Sequence, residues 1–173
     1  MKTYLLLLLM QLFYTSCEEK PLPPKIVGYY FQYERVNYAW GFNHGGFTIT
    51  PSGEVYTFNK TTPWVFAQEG KLSMASMKKN LDASSKCDTL INPSDIIRFQ
   101  QLATKAVWGK MSERVQEGAD MGSSTTKIII PDSTDTQWGY REVHLTTEGD
   151  FRQSNLAPEA AVIAEWLKKL KIH

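Results

Sequence analysis

The side chains in this 173-residue chain with the types to do chemistry are three histidines, two cysteines and a few serine–lysine and aspartate–hydroxyl spacings. His173 is the last residue, so only His44 and His144 fall inside a domain. A metal site wants three or four ligands at set spacings. His144 stands between Val143 and Leu145 with no partner at such a spacing, and alternation places it on the solvated face of a strand. His44, between Asn43 and Gly45 and beside Trp40 and Phe42, is the better candidate for a polar group in a binding site. Cys87 has Lys86 and Asp88 as neighbours and no local His or Arg to favour a thiolate, so it reads as a small apolar residue rather than a nucleophile. Ser76 to Lys79 and Ser124 to Lys127 both match the spacing that lets a lysine activate a serine. Two hits in one short chain, without accompanying motifs, mark the pattern as accidental. Asp132 and Asp135 with Ser133, Thr134 and Thr136 offer oxygens to a hard cation, but the alternating acids and fixed glycine of a calcium loop are missing. A solvated hairpin tip is expected there.

Signatures of established enzyme classes are absent as well. There is no Gly-x-Ser-x-Gly elbow, no His-Glu-x-x-His pair, no phosphate-cradling glycine loop and no Cys-x-x-Cys. The reading is therefore of a chain with no catalytic residues, metal or cofactor. Its one functional-looking feature is aromatic: twelve of the 21 Phe, Trp and Tyr residues fall between Tyr29 and Phe66. Most such rings close a core, but exposed ones make platforms for sugars and anchors for protein partners. Trp40, Trp64 and Trp138 adjoin Gly, Pro or loop residues rather than a periodic run, and are the rings expected to be partly exposed.

The elements that must carry these residues can be read from period and punctuation. Phe47-Thr48-Ile49-Thr50, then Pro51-Ser52-Gly53, then Glu54-Val55-Tyr56-Thr57-Phe58 predicts a hairpin, because Pro and Gly supply turn dihedrals between two alternating runs. Leu72, Met77 and Leu81 suggest a short helix, followed by a polar link through Ser84 and Ser85. Asn92-Pro93-Ser94-Asp95 opens a helix with a cap, a proline at its first position and an acid in its first turn. Ile96, Phe99, Ala103, Ala106 and Val107 then share a face. Thr126 to Ile130 and Tyr140 to Thr147 read as strands, and Pro158-Glu159 opens a last helix with Val162, Ile163, Trp166, Leu167 and Leu170 in a stripe. The expectation is an α+β domain: an antiparallel sheet of about four to six strands, two helices on one face, in the order strand pair, helix, strand pair, helix.

At the start, Lys2 precedes an apolar run through Met10, Leu12 and Phe13, then Tyr14-Thr15-Ser16-Cys17. The run is too short for the roughly 20 residues of a membrane span and has the form of an export signal. Small residues directly before a cysteine resemble the lipobox of bacterial lipoproteins, and Glu18-Glu19 after it are similar to those of Bacteroidetes-type envelope lipoproteins. The usual leucine three before the cysteine is Tyr14 here. The resemblance implies cleavage before Cys17, acylation of Cys17 and attachment to the outer membrane, periplasmic or surface-facing. It divides the chain into a signal at 1–16, a lipidated tether at 17–25 stiffened by Pro21, Pro23 and Pro24, and one domain at 26–173. The layout from hairpin to closing helix also resembles small uncharacterised lipoproteins that share a Gly-x-Val-Tyr hairpin and a Pro-Glu helix. Asp88-Thr89-Leu90 and Asp132-Ser133-Thr134 resemble the O-glycosylation acceptors of that envelope, which implicates Thr89 and Ser133.

Nineteen Lys and Arg against 18 Asp and Glu leave no basic excess for nucleic acid. Lys168, Lys169 and Lys171 are placed to complement the carboxyl end of the last helix. What remains is a lipid-anchored module with a protein or glycan partner in the envelope. A protein-binding, inhibitory or accessory role leads, and a carbohydrate-binding accessory is the alternative.

Overall fold

The computed structural model describes residues 28–39, 41–59, 64–132 and 139–172. Along the chain run β1 (Tyr30–Asn37), β2 (Asn43–Ile49), β3 (Glu54–Asn59), β4 (Lys71–Leu72), α1 (Met74–Asp82), β5 (Ser85–Leu90) and α2 (Pro93–Ala106). They are followed by β6 (Val115–Gln116), β7 (Ser123–Pro131), β8 (Tyr140–Gly149), β9 (Phe151–Ser154) and α3 (Pro158–Lys169). The strands form one antiparallel sheet in the order β5-β3-β2-β1-β7-β8-β9-β6, with β4 on the far end of β8. The domain is α+β and mostly sheet. Nine strands among the described residues exceed the four to six expected, for a physical reason. β4 and β6 are two residues long and β9 four, too short to show a period. β5, expected as the end of a polar link, has the polar sequence Ser-Lys-Cys-Asp-Thr-Leu and becomes a strand only by pairing with β3.

The β2–β3 hairpin turns where expected. Gly53 donates to the Thr50 carbonyl at 2.9 Å with a φ of 87°, and Thr50 donates to the Glu54 carbonyl at 2.9 Å, the positive-φ residue that a longer hairpin loop requires. α2 opens on Asn92, whose side chain accepts from the Ser94 N–H at 2.9 Å, with Pro93 in its first turn. α3 opens on Pro158 without a side-chain cap.

Alternation along the strands sends one set of residues to each face. On the inner face Phe31, Ile49, Val55, Ile128 and Leu145 meet Phe99 and Ala103 of α2 and Ile163 and Leu167 of α3 in the main core. Buried Ala103, Ala106, Ala160 and Ala164 let the two helices approach closely, and the Trp166 ring stacks on Phe99 at 3.8 Å while meeting Phe31 edge-on at 5.3 Å. Asn155 joins the helices: its Nδ2 donates to the Ala106 carbonyl at 2.9 Å and its Oδ1 accepts from the Ala157 N–H at 3.0 Å.

The outer face is not open. Leu72, Met77 and Ile129 form a second, smaller core with Tyr30, Val65, Leu81 and Tyr140, so α1 covers the side opposite the two longer helices. Asn80 on α1 pins the segment before β4 by accepting from the Val65 N–H and donating to the Val65 carbonyl, both at 2.8 Å. That pair holds Trp64 and Phe66 in place over the neighbouring part of the sheet.

Candidate functional site

Beside the small core the outer face turns ionic. β1 contributes Gln32 and Glu34, β2 His44, β7 Lys127 and β8 Glu142, all by the alternation that sends their neighbours to the main core. The Lys127 ammonium, with a side chain 5% exposed, lies 2.7 Å from Glu34 Oε1 and 3.0 and 3.1 Å from the two oxygens of Glu142. Glu34 Oε2 also accepts from Gln32 Nε2 at 3.0 Å and stands 3.3 Å from His44 Nε2. A carboxylate only accepts, so His44 carries its proton on Nε2. The β7–β8 ladder shifts register between Thr126 and Lys127, where Leu145 of β8 is passed over. β7 keeps its register with β1, so alternation sends Thr126 and Lys127 to opposite faces, and both are buried.

The charges set one another. Burial alone would raise the Glu34 pKa, but the Lys127 charge and the hydrogen bonds from His44 and Lys127 lower it to about 2. Glu142 is likewise held below its ordinary value against burial, chiefly by the Lys127 charge, with the His144 ring nitrogen 3.9 Å away and Glu34 opposing. Burial would lower Lys127, yet the two carboxylates hold it above its usual value. The cluster is therefore ionised at neutral pH. Its outer end comes near solvent at a shallow cleft of about 330 Å³ beside β8, which includes Gly109, Met111, Glu142 and His144.

Its inner end is sealed by rings. His44 is fully buried, with ring centroids at 4.9 Å from Phe58, 5.0 Å from Trp64, 5.0 Å from Phe66 and 6.1 Å from Phe42. Among the described residues its Nδ1 has no hydrogen-bond partner. Gly46 makes this enclosure possible. It lies across from Phe58 on β3 and Glu34 on β1, and a Cβ there would sit 2.0 Å from the Tyr33 carbonyl oxygen and 3.0 Å from the Phe58 ring. The aromatic group then continues outward. Phe42 packs against Tyr38 at 5.3 Å and Phe66 at 6.3 Å, and these three rings are 42%, 70% and 41% exposed.

His44, expected as a polar group for a ligand, is thus enclosed by rings and committed to Glu34. Trp64 is half-buried against Phe58 and His44. Trp40, Trp138, Ser133 and Cys17 lie outside the described residues. Thr89 is exposed on the edge strand β5, and His144 is exposed opposite buried Val143 and Leu145. Cys87 is half-buried against the main core with its Sγ 3.8 Å from Thr57 Oγ1. Sequence reasoning missed the ionic cluster and the exposed trio Tyr38, Phe42 and Phe66. It also missed Trp108, 81% exposed just past α2. The available signal was Lys127 itself, a charge directly before three isoleucines in a run of strand formers.

Two carboxylates within reach of one ammonium lie closer together than the ~6.5–9.5 Å an inverting glycosidase leaves for its water. A retaining pair needs one carboxyl group with a raised pKa to act as acid, and here both are lowered. Among the described residues no three His, Cys, Asp or Glu side chains are arranged to hold a metal ion. No protein-family model, curated protein or solved structure matches this chain. The arrangement itself does what a buried, satisfied ionic network does: it ties β1, β2, β7 and β8 into one register, since a slip of one residue would carry every member to the opposite face.

Proposed function

We propose that this chain is an outer-membrane lipoprotein, anchored through an acylated Cys17, that acts without catalysis by binding a protein partner at the tip of its β1–β2 hairpin. The observation that carries the reading is the contiguous exposure of Tyr38, Phe42 and Phe66. Adjoining exposed aromatics on a folded domain are the usual anchors of interfaces, because rigid rings bury much area with little entropy lost. Tyr38 and Phe42 stand past the end of β1 opposite its start at Tyr30. At about 3.3 Å per residue the eight residues of β1 put roughly 26 Å between the two ends. The locked carboxylates support a non-catalytic role, and the ionic cluster then serves to keep the hairpin rigid beneath its rings.

Two measurements test this. Intact mass of protein from membranes should show a species that begins at Cys17 and carries acyl mass, lost in Cys17→Ala; an unacylated soluble species would remove the anchor. A photo-crosslinking residue at Tyr38, compared with one at exposed Lys78 on α1, should give a discrete adduct in intact cells only at the tip. Equal labelling at both positions, or none at Tyr38, refutes the partner site.

A further inference from the structure

The helix-bearing face of the sheet is not covered along its whole length. Past the end of α3 a groove of about 670 Å³ opens over the ends of β1, β2 and β3, with Leu170 and Ile172 beyond the helix as its wall. We propose that this groove is a saccharide-binding site. The inference is independent of what the hairpin tip binds.

Its floor is built by register. Asn37 pairs with Asn43 across β1 and β2, and Gly45 lies between Arg35 on one side and Asn59 on the other. With no side chain at 45, a trough runs between those two polar residues; the Asn59 Oδ1 is 3.6 Å from where a Cβ of Gly45 would be. Asn37 already accepts the Ala39 N–H at 2.8 Å through its Oδ1, which leaves its NH₂ to donate. Asn43, Asn59 and Arg35 are exposed and make no side-chain hydrogen bond or ion pair with the described residues.

The chemistry of this set selects a ligand class. A side-chain amide both donates and accepts, which matches the adjacent hydroxyls of a sugar ring, each of them donor and acceptor. Sugars also have apolar C–H faces, and the groove supplies apolar surface for them in Leu170, Ile172 and the stacked pair Tyr33 and Phe47, whose rings are 5.7 Å apart at 23°. Among the described residues Arg35 is the one charged side chain lining the groove, and no carboxylate lines it. That charge favours a neutral or acidic ligand over a cationic one. An extended peptide fits less well. The floor strands β1 and β2 are paired on both sides, so strand addition has no free backbone to use there, and recognition rests on side chains. The volume falls within the roughly 300–1,000 Å³ of small-ligand sites.

The test is binding of the full-length chain to an array of neutral and uronic-acid oligosaccharides, with affinities for the retained sugars measured by titration calorimetry. The Asn43→Ala/Asn59→Ala pair should weaken binding about tenfold or more, since each amide removes its hydrogen bonds to the sugar. Arg35→Gln should weaken uronate-bearing sugars more than neutral ones. All three substitutions are at exposed positions, and unchanged thermal unfolding will show that the fold is intact. Phe42→Ser/Phe66→Ser, which disrupts the hairpin tip, should leave sugar binding unchanged. Retention of no saccharide, or equal affinity in wild type and the double asparagine variant, overturns the proposal whatever the fate of the tip.

Discussion

Replacing Lys127 with methionine would keep the length and much of the volume of a side chain that is 5% exposed, while removing the one cation among the described residues that pairs with both Glu34 and Glu142. The Glu34 pKa of about 2 against an ordinary 4.5, at about 1.36 kcal/mol per unit, corresponds to about 3 kcal/mol of stability. The sign follows from linkage. A carboxylate depressed in the folded state stabilises above its unfolded pKa, near 4.5, and that contribution is lost as pH falls through about 2. In Lys127→Met the two carboxylates remain buried and face each other, so desolvation and repulsion push both upward. The expected loss at pH 7.5 is about 3–5 kcal/mol, the range for breaking one side of a buried ion pair, and a large part of the roughly 5–15 kcal/mol that holds a domain together. Urea unfolding followed by tryptophan fluorescence at pH 7.5 and pH 5 measures it. Wild type should change little between the two, whereas the variant should regain stability at pH 5 as its carboxylates take up protons. Lys127→Met combined with Glu34→Gln and Glu142→Gln should recover much of the loss at pH 7.5. A loss under about 1 kcal/mol at pH 7.5, or one of equal size at both pH values, would refute the reading of the cluster as an ionised network.

Gly46→Ala should be among the most damaging single changes, at least about 3 kcal/mol by thermal or urea unfolding, because its Cβ would press on the Tyr33 carbonyl and the Glu34 Cα, both backbone. Asn80→Ala removes both hydrogen bonds to Val65 and should lower stability by about 2 kcal/mol. Hydrogen exchange should then show the Val65 amide losing its protection while Phe31 and Ile128 in the main core keep theirs. Trp108→Ala, at an exposed ring, should shift stability by less than about 0.5 kcal/mol, so a larger shift would mean that Trp108 packs where the structure leaves it open.

How much was legible follows from how local each feature is. The β2–β3 hairpin, the start of α2 at Asn92-Pro93, the start of α3 at Pro158, and β7 and β8 could be read because turn dihedrals, caps and periodicity act over a few residues. β5 could not, since nothing in Ser-Lys-Cys-Asp-Thr-Leu prefers a strand until β3 offers it an unpaired edge. The site divides in the same way. The density of aromatics near His44 was visible, but which of them would be exposed was not. Trp64 adjoins a proline and still packs on Phe58, while Tyr38 and Phe42, in the same run, stay open.

The sequence by itself determined the alternation of the strands, the turn at Gly53, the helix starts and the near balance of charge, all properties of neighbouring residues. Only the tertiary structure decided that Glu34, His44, Lys127 and Glu142 form one network, and that Arg35, Asn37, Asn43 and Asn59 gather in one groove. Lys127 lies far along the chain from Glu34, and no local preference encodes their meeting. The pairing of β1 with β2 and β7, and of β7 with β8, brings them within hydrogen-bonding distance. The same pairing, read on the opposite face of the same strands, lays out the floor of the groove.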